Sequence, residues 1–405
     1  MELASGRASN GSRGEGSPVQ RAVLAAWIAC AATGCAPSPP SADAGALPLA
    51  AGTRHVRVYF EEGRFGGWPA NHGIWIWGEE ILVGFSRGYY KDLGDRHHID
   101  RNRPESHLLA RSLDGGETWS VEDPGADGQL LPEGEFLHGT SRPGVEVPEL
   151  RDSPGGIDFS HPDFAMTLRA NSVDAGVGRF FYSYDRGRSW AGPYRLPNFG
   201  APGIAPRTDY LVNGARDCTI FVTAAKSDGE EGRPLCARTT DGGATWSRVS
   251  WIGPEPAGFS IMPASARLSE TDILVATRRR EGPRRWIDAY ISRDSGATWS
   301  EWSEPVPDAG VGNPPAIIRL EDGRICLIYG YRGEPYSIRA TLSGDGGRTW
   351  SGEVALRADG SSRDIGYVRA VQRPDGKVVA VYYFSDEATG PERYIAATIW
   401  DPAAV

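Results

Sequence analysis

The chain has 405 residues, including 52 Gly, 30 Pro and 13 Trp, a usage that favours many tight turns and large packed aromatic side chains. Its formal net charge of −9 provides no basic field for nucleic acid, which excludes nucleic acid as a partner. The sequence contains no phosphate-binding loop, Ser-His-Asp order or metal-ligand spacing, so neither a cofactor nor a metal is expected.

The first 53 residues differ in composition from the rest of the chain. Residues 22–33 form an apolar stretch that is too short to span a bilayer and is typical of a signal-peptide core. Residues 32–35 (ATGC) resemble a bacterial lipobox, which would make Cys35 a lipidated membrane tether. Plain secretion and an uncleaved tail are the alternatives. We therefore expect a signal region at 1–35, a Pro/Ala/Ser linker at 36–53, and export to the periplasm, the cell surface or the medium.

An eight-residue motif, Ser/Thr-x-Asp-x-Gly-x-Thr/Ser-Trp, occurs five times, with starts 71, 56, 53 and 51 residues apart. Its Asp can accept hydrogen bonds from its own turn, its Gly can adopt positive φ, and its Trp can pack between sheets. This spacing indicates one supersecondary unit repeated along the chain, with the motif as a structural turn. The copies are 112–119, 183–190, 239–246, 292–299 and 343–350.

Alternating apolar residues and Asp-Gly turns predict strands between the motifs, in six units, the last of which lacks the motif. Residues 54–60 can supply the outer strand of the last unit and close a ring. Residues 121–160 are predicted to be an insertion. The predicted strands are 74–77, 80–85 and 107–112; 163–169 and 179–183; 210–213, 219–224 and 235–239; 264–268, 272–277 and 287–292; 316–320, 324–329 and 338–343; and 368–373, 377–383 and 394–400.

The repeated motif resembles the Asp box of the sialidase-like β-propellers, also called BNR repeats, and the resemblance covers about residues 54–400. It implies an all-β fold of six four-stranded antiparallel blades, with seven blades as the alternative, in one domain at 54–405. The five box Trp residues should then be buried between layers. We expect a monomer. The resemblance also implies an enzyme that cuts an acidic sugar from a glycan.

In such a blade, with strands A to D from the axis outward, the boxes lie in the C–D turns. Residues just before strand A and just after strand B then meet on the opposite face, and a concave mouth there is the default ligand site. Polar residues recur at these positions, whereas His97 and His98 fall in a charged loop and are predicted to lie on the surface. We expect one funnel with His72, His161, Tyr210 and Tyr367 as catalytic candidates and Arg87, Lys226, Arg278, Arg332, Asp364 and Arg369 as substrate-binding candidates.

A cationic mouth in an acidic protein suits a carboxylate, because guanidinium groups bind carboxylates in bidentate fashion. Arg278 and Arg332 resemble two members of the sialidase Arg triad. The Arg-Ile-Pro motif that carries the first member is absent, and residues 68–73 (WPANHG) stand in its place.

Residues 68–73 and 364–369 are also similar to the propellers of ulvan lyases and rhamnosyl-glucuronate hydrolases, in which His and Tyr move protons. That similarity implies such roles for His72, His161 and Tyr210, with Lys226 beside the uronate. The sequence thus predicts a glycoside hydrolase acting on a sialic or uronic acid. A lyase acting on a uronate-containing polysaccharide and a non-catalytic glycan-binding propeller are the alternatives.

Overall fold

The computed structural model describes residues 47–130, 143–144, 146 and 148–405. The predicted signal region with Cys35, and most of the predicted linker, lie outside the described residues. Across the residues that are described, no helix is long and apolar enough to span a bilayer. Residues 48–50, at the end of the predicted linker, pair with Ala355 through backbone hydrogen bonds of 2.9 Å.

The described chain forms strands β1 to β25 and short 3-10 helices at Pro69–Asn71, Pro124–Asp127 and Pro402–Ala404. The first thirteen strands are β1 Arg54–Tyr59, β2 Arg64–Gly67, β3 Ile74–Trp77, β4 Glu80–Tyr89, β5 Ser106–Ser112, β6 Ser120–Glu122, β7 Ala165–Ala170, β8 Gly178–Ser183, β9 Ala191–Arg195, β10 Ile204–Ala205, β11 Tyr210–Gly214, β12 Asp217–Ala225 and β13 Glu231–Thr239. The others are β14 Ser247–Trp251, β15 Phe259–Arg267, β16 Ile273–Glu281, β17 Arg284–Ser292, β18 Ser300–Val306, β19 Ala316–Arg319, β20 Ile325–Tyr331, β21 Ser337–Ser343, β22 Val354–Arg357, β23 Gly366–Gln372, β24 Val378–Phe384 and β25 Tyr394–Trp400.

These strands form six antiparallel sheets, which are the six predicted blades of a β-propeller. In chain order, blades 1 to 6 contain β2–β6, β7–β9, β10–β14, β15–β18, β19–β22 and β23–β25. Strand A is in two pieces in blade 1, where β2 and β3 both pair with β4, and in blade 3, where β10 and β11 both pair with β12.

The first strand closes the ring, as predicted. β1 pairs antiparallel with β25, from Arg54 opposite Ile399 to Tyr59 opposite Ile395, and becomes the outer strand of blade 6. The two ends of the propeller are thereby joined by backbone hydrogen bonds, and blade 6 gains the fourth strand that its own segment lacks.

Blade 2 differs from the prediction because its described sheet has three strands and lacks an innermost one. The Asp163 carbonyl accepts a hydrogen bond from Arg186 N in the following box (3.0 Å). In blade 1 the carbonyl that accepts the matching bond belongs to Glu79, in the A–B turn. β7 therefore occupies the position of strand B, and residues 161–163 lie on the box face. The sequence prediction of an innermost strand at 163–169 is wrong, since two strands before a box need not be A and C.

All five Asp boxes lie in turns between strands C and D, as predicted. In the first, Asp114 accepts hydrogen bonds from Ser112 Oγ (2.8 Å), Thr118 N (2.9 Å) and Thr118 Oγ1 (2.6 Å). Each box Trp packs against a core cluster. Trp190 and Trp246 are buried, with 9% and 7% of their surface exposed. The expectation that all five are buried is wrong, because Trp119, Trp299 and Trp350 are only half-buried.

Replacing Asp345 in the fifth box by Ala should lower the free energy of unfolding by about 1–2 kcal/mol, at the low end for charge-assisted hydrogen bonds because the turn is exposed. Bonds from the backbone and side chain of Thr349 lower the pKa of Asp345 to about 2. A lowered carboxyl pKa stabilises the fold above its unfolded value and loses that effect as pH falls through the folded value. The difference between variant and parent should therefore shrink between about pH 4 and 2 in chemical denaturation. Equal stability of Asp345→Ala and the exposed control Glu387→Ala at pH 7 would contradict the role of the box.

Candidate functional site

The Asp boxes and the best candidate residues lie at opposite ends of the blades. In blade 4, Ile273 pairs with Ser292 at the box end, so Arg278 lies toward the other end of β16. In blade 5, Arg332 follows the corresponding end of β20. These ends surround the axis and form the surface that we call the mouth.

Arg278, Arg332 and Tyr367 form the centre of the mouth. The Arg332 guanidinium donates to the Tyr383 hydroxyl (2.5 Å) and to the Ile365 carbonyl (3.0 Å), and it lies 5.4 Å from the centroid of the Tyr367 ring. Burial lowers the pKa of Arg278, which interacts with the Tyr367 hydroxyl and with Arg332. The Nε atom of Arg278 is buried and has no hydrogen-bond partner among the described residues. Buried Arg332 and half-buried Arg278, with its unused Nε donor, are neighbouring cations that favour an anion between them.

A strained turn presents Tyr367 to this centre. Tyr367 has a φ of 49°, in the left-handed region that non-glycine residues rarely adopt. The Asn313 side chain, which is fully buried, accepts from Tyr367 N (2.8 Å) and donates to the Ile365 carbonyl (2.8 Å). Gly366 is required because a Cβ there would lie 2.3 Å from Asn313 Nδ2. Such strain is common where a backbone positions a functional side chain.

Glu231 provides a carboxylate at the same end of blade 3, at the start of β13. Its Oε1 lies 3.7 Å from Arg207 Nη2, and Arg207 in turn donates to Asn71 Oδ1 (2.8 Å). Burial raises the pKa of Glu231, while Arg207 and Arg278 oppose that shift. Arg278 therefore interacts both with this carboxylate and with the Tyr367 hydroxyl.

Asp364 lies beneath Arg332 and is surrounded by several hydrogen-bond donors. It accepts from the Tyr383 hydroxyl (2.6 Å) and lies 2.6 Å from His97 Nδ1 and 3.9 Å from Arg332 Nη2. Burial alone would raise the pKa of Asp364, but His97, Arg332 and Arg393 outweigh burial and lower it. Asp364 is thus a permanent anion that neutralises the cations around it rather than a group placed to touch substrate.

Arg369 lies deeper, on the propeller axis, where a cavity of about 330 Å³ is lined by the innermost strands. Its guanidinium donates to the Ala70 carbonyl (2.6 Å) and to the Thr208 carbonyl, and lies 3.7 Å from Asp209 Oδ2. Burial raises the pKa of Asp209 to about 6, against the opposing effect of Arg369. Arg369 therefore links blade 6 to blades 1 and 3 by hydrogen bonds below the mouth.

His72, a predicted proton-transfer residue, is enclosed, and Tyr210, another, is half-buried beside the axial cavity. His72 is 1% exposed, with Nε2 3.0 Å from Ser86 Oγ and Nδ1 against the Arg169 guanidinium. Burial and Arg169 hold the pKa of His72 well below its usual value. The Tyr210 hydroxyl accepts from Trp75 Nε1 (3.0 Å), and burial raises its pKa. The structure places both side chains between blades rather than at the mouth.

His161 lies on the opposite face, against the second Asp box. Its ring is 4.8 Å from that of Tyr184, and neighbouring Asp163 accepts from Arg186 Nε (2.6 Å). The expectation that His161 joins the other candidates in one funnel is wrong, because β7 is a second rather than an innermost strand.

Arg87 and Lys226 are at the correct ends of their strands but have local partners. Arg87 reaches outward, with nitrogen atoms 3.8 Å from Glu61 and 3.5 Å from Asp123. Lys226 donates to Asp228 in its own B–C turn (2.8 Å), at the rim of the mouth. The mouth thus brings together Arg278, Arg332, Tyr367 and Asp364 from the predicted set.

Sequence reasoning missed Glu231 and His97 because it considered only residues before strand A and after strand B. Glu231 opens strand C, and His97 lies in the loop between β4 and β5, so both belong to B–C connections. The prediction that His97 is a surface residue is wrong, since it contacts buried Asp364. The unusual length of that loop, residues 90–105, could have indicated from the sequence that it reaches beyond its own blade.

A family model for the BNR repeat-like domain matches residues 166–380, more than half of the chain. The chain belongs to this family. The matched BNR repeat-like segment begins in β7 and ends in β24, so it contains Glu231, Arg278, Arg332 and Tyr367 but not His97. None of the curated proteins matches the chain in sequence at a significant level.

Solved structures with the same fold include sugar-cleaving enzymes. A protein of unknown function from Dyadobacter fermentans has a TM-score of 0.65 and 21% identity, over 86% of this chain and 99% of that one. The NanB sialidase of Streptococcus pneumoniae has a TM-score of 0.57 and 12% identity, over 89% and 71%. The α-L-arabinanase of Penicillium chrysogenum has a TM-score of 0.52 and 11% identity, over 86% and 97%. At these identities the likeness establishes the fold, and activity needs separate argument.

Asn313→Ala should lower the free energy of unfolding by about 2–3 kcal/mol, because it leaves Tyr367 N and the Ile365 carbonyl buried without partners. It should also release the strained turn and so impair any activity that depends on Tyr367. Asn213, which is exposed at the box end and also makes side-chain hydrogen bonds, provides the control. Urea denaturation of both alanine variants measures the difference. A loss no larger for Asn313→Ala than for Asn213→Ala would contradict this role.

Proposed function

We propose that this protein is a glycoside hydrolase that removes an acidic sugar from a glycan. The observation that carries the proposal is the half-buried Arg278 guanidinium beside Arg332 and Tyr367, whose buried Nε donor has no hydrogen-bond partner among the described residues. The fold it shares with NanB sialidase and with an arabinanase supports glycoside cleavage as the reaction class.

The acidic group of the sugar is held by Arg278. A carboxylate accepting from Nε and a terminal nitrogen would satisfy the unused donor and neutralise two adjacent cations. Arg332 attracts the carboxylate by its positive charge rather than by direct hydrogen bonds, because its guanidinium already donates to the Ile365 carbonyl and the Tyr383 hydroxyl. A neutral sugar would leave the buried Nε donor of Arg278 unused, so the site discriminates against it.

Tyr367 is the nucleophile and Glu231 the base that accepts its proton. Attack by the Tyr367 oxygen on the anomeric carbon forms a covalent glycosyl-enzyme and expels the aglycone, and water then releases the sugar with retained configuration. A Tyr in place of a carboxylate avoids like-charge repulsion with an acidic sugar. The raised pKa of Glu231 makes it a better proton acceptor than an ordinary carboxylate.

A lyase function has less support. The residues that the lyase resemblance implied for proton transfer are separated, with His161 on the box face, His72 enclosed between blades and the Tyr210 hydroxyl bonded to Trp75 of blade 1. A non-catalytic glycan-binding propeller would not require the strained presentation of Tyr367.

The activity is tested with aryl glycosides of N-acetylneuraminic acid, glucuronic acid, galacturonic acid and, as a neutral control, arabinofuranose. The parent should hydrolyse at least one acidic glycoside, and Arg278→Met should lower kcat/KM by at least about 30-fold, the equivalent of about 2 kcal/mol for a lost buried charge contact. Arg284→Met, on the exposed end of the same hairpin, should retain activity. Hydrolysis of the arabinofuranoside alone would contradict the proposal.

We also propose that the protein is exported and tethered through Cys35, on the basis of the apolar stretch at 22–33 and the ATGC sequence that follows it. Cys35→Ala should move the protein from the membrane fraction to the soluble fraction of bacterial cells. Cys30→Ala, a change in the same segment, should leave it in the membrane fraction. Identical fractionation of Cys35→Ala and the parent would contradict lipidation.

A further inference from the structure

The loop between β4 and β5 carries His97 from blade 1 to blade 6. Two strand-like contacts extend the hairpin beyond β4, with Lys91 N donating to the His98 carbonyl (3.0 Å) and Asp100 N to the Tyr89 carbonyl (2.8 Å). The tip is held against blade 6, since the Arg363 guanidinium binds the carbonyl of Asp95. His97 is therefore placed at the mouth by a docked hairpin.

His97 and Asp364 form a His–carboxylate pair. His97 Nδ1 lies 2.6 Å from Asp364 Oδ1, and the same oxygen accepts from the Tyr383 hydroxyl (2.6 Å). The Asp364 side chain is 4% exposed and that of His97 is 24% exposed, so the carboxylate lies on the buried side of the imidazole. A carboxylate on Nδ1–H fixes the tautomer whose basic nitrogen is Nε2, the arrangement used in acid–base catalysis.

The imidazole lies next to the proposed nucleophile. Its ring centroid is 6.0 Å from that of Tyr367, in an edge-to-face arrangement, and 5.2 Å from that of Trp68 on its other flank. These two aromatic rings restrict the imidazole to one orientation. A sugar bound at Tyr367 would therefore present its glycosidic oxygen within the reach of a group already held in position.

The other ionisable groups at and below the mouth have different partners. Glu231 is paired with Arg207, and Asp209 lies deeper with Ser265 and Arg369. His72 is enclosed against Arg169. The proposed reaction needs a group that gives a proton to the leaving oxygen, and among these groups His97 is the one whose ring packs against that of Tyr367.

We propose that His97 is the general acid–base of this glycosidase, with Asp364 as its positioning residue, an inference that rests on the proposed function. Tyr367 attacks the anomeric carbon as its proton passes to Glu231, the glycosidic C–O bond breaks, and protonated His97 gives its proton to the leaving oxygen. In the second step neutral His97 takes a proton from water, whose oxygen attacks the anomeric carbon, and the bond to Tyr367 breaks as Glu231 returns its proton.

The surroundings of His97 set the direction of its pH dependence. Burial lowers its pKa, the Asp364 carboxylate raises it, and the cations of Arg332 and Arg278 lower it further, with Tyr383 and Tyr367 also facing the ring. The acid form is lost as pH rises through that value, so kcat/KM should fall on the alkaline side. Asp364→Asn removes the anion that favours the protonated ring. The alkaline limb of the pH profile, where kcat/KM falls, should therefore move to lower pH.

The test compares two substrates of the same acidic sugar, one with an activated nitrophenol leaving group and one with an unactivated sugar. A nitrophenolate leaves without a proton, so His97→Gln should lower kcat/KM at least about 100-fold for the sugar-linked substrate and less than about 10-fold for the aryl substrate. Tyr367→Phe should lower both. His55→Gln, at an exposed position on β1, provides the control and should change neither.

An equal loss on both substrates in His97→Gln would overturn the acid–base role while leaving the proposed function intact. An unshifted alkaline limb in Asp364→Asn that retains a parental melting temperature would overturn the positioning role. If the parent cleaves no acidic glycoside, the proposed function fails, and this inference fails with it.

Discussion

The propeller contains five Asp-box turns, one between the last two strands of each of blades 1 to 5. Each box fixes one end of a blade by folding an Asp carboxylate onto its own turn and packing a Trp against the neighbouring blade. The boxes determine the conformation of the loops on one face. The loops at the opposite ends of the same strands are therefore not required for the turn structure and can carry functional residues. The pairing of β1 with β25 then holds those ends around one axis. Functional side chains can be placed on those loops without loss of the fold.

The mouth carries features that stability alone would not retain. Arg278 and Arg332 are neighbouring cations, and the Nε donor of Arg278 is buried without a hydrogen-bond partner among the described residues, which costs free energy unless a ligand accepts from it. Trp68, Met262 and Tyr367 all have positive φ where the chain enters or forms an innermost strand, and each such conformation costs about 1–3 kcal/mol. Buried charge and backbone strain at one site are typical of groups positioned for a ligand, which supports a function at this end of the propeller.

Much of the fold could be predicted from the sequence, because the Asp box repeats a local turn whose residues determine their own conformation. The six blades and the closing strand followed from spacing and alternation, and Arg278, Arg332 and Tyr367 followed from blade topology. His161 was misplaced because strand position within a blade is set by pairing partners far along the chain. Glu231 and His97 were missed because the prediction considered only residues before strand A and after strand B, and the docking of the His97 loop on blade 6 depends on tertiary contacts with Arg363 and Asp364.

The central claim is that the mouth recognises the carboxylate of an acidic sugar. Calorimetric titration of the parent and Arg278→Met with the methyl glycosides of N-acetylneuraminic acid and glucuronic acid, each beside its methyl ester, tests this claim most directly. If Arg278 binds the carboxylate, one acid should bind the parent at least about 10-fold more tightly than its ester, and Arg278→Met should bind the two equally. Equal affinity of the parent for acid and ester in both pairs would contradict it.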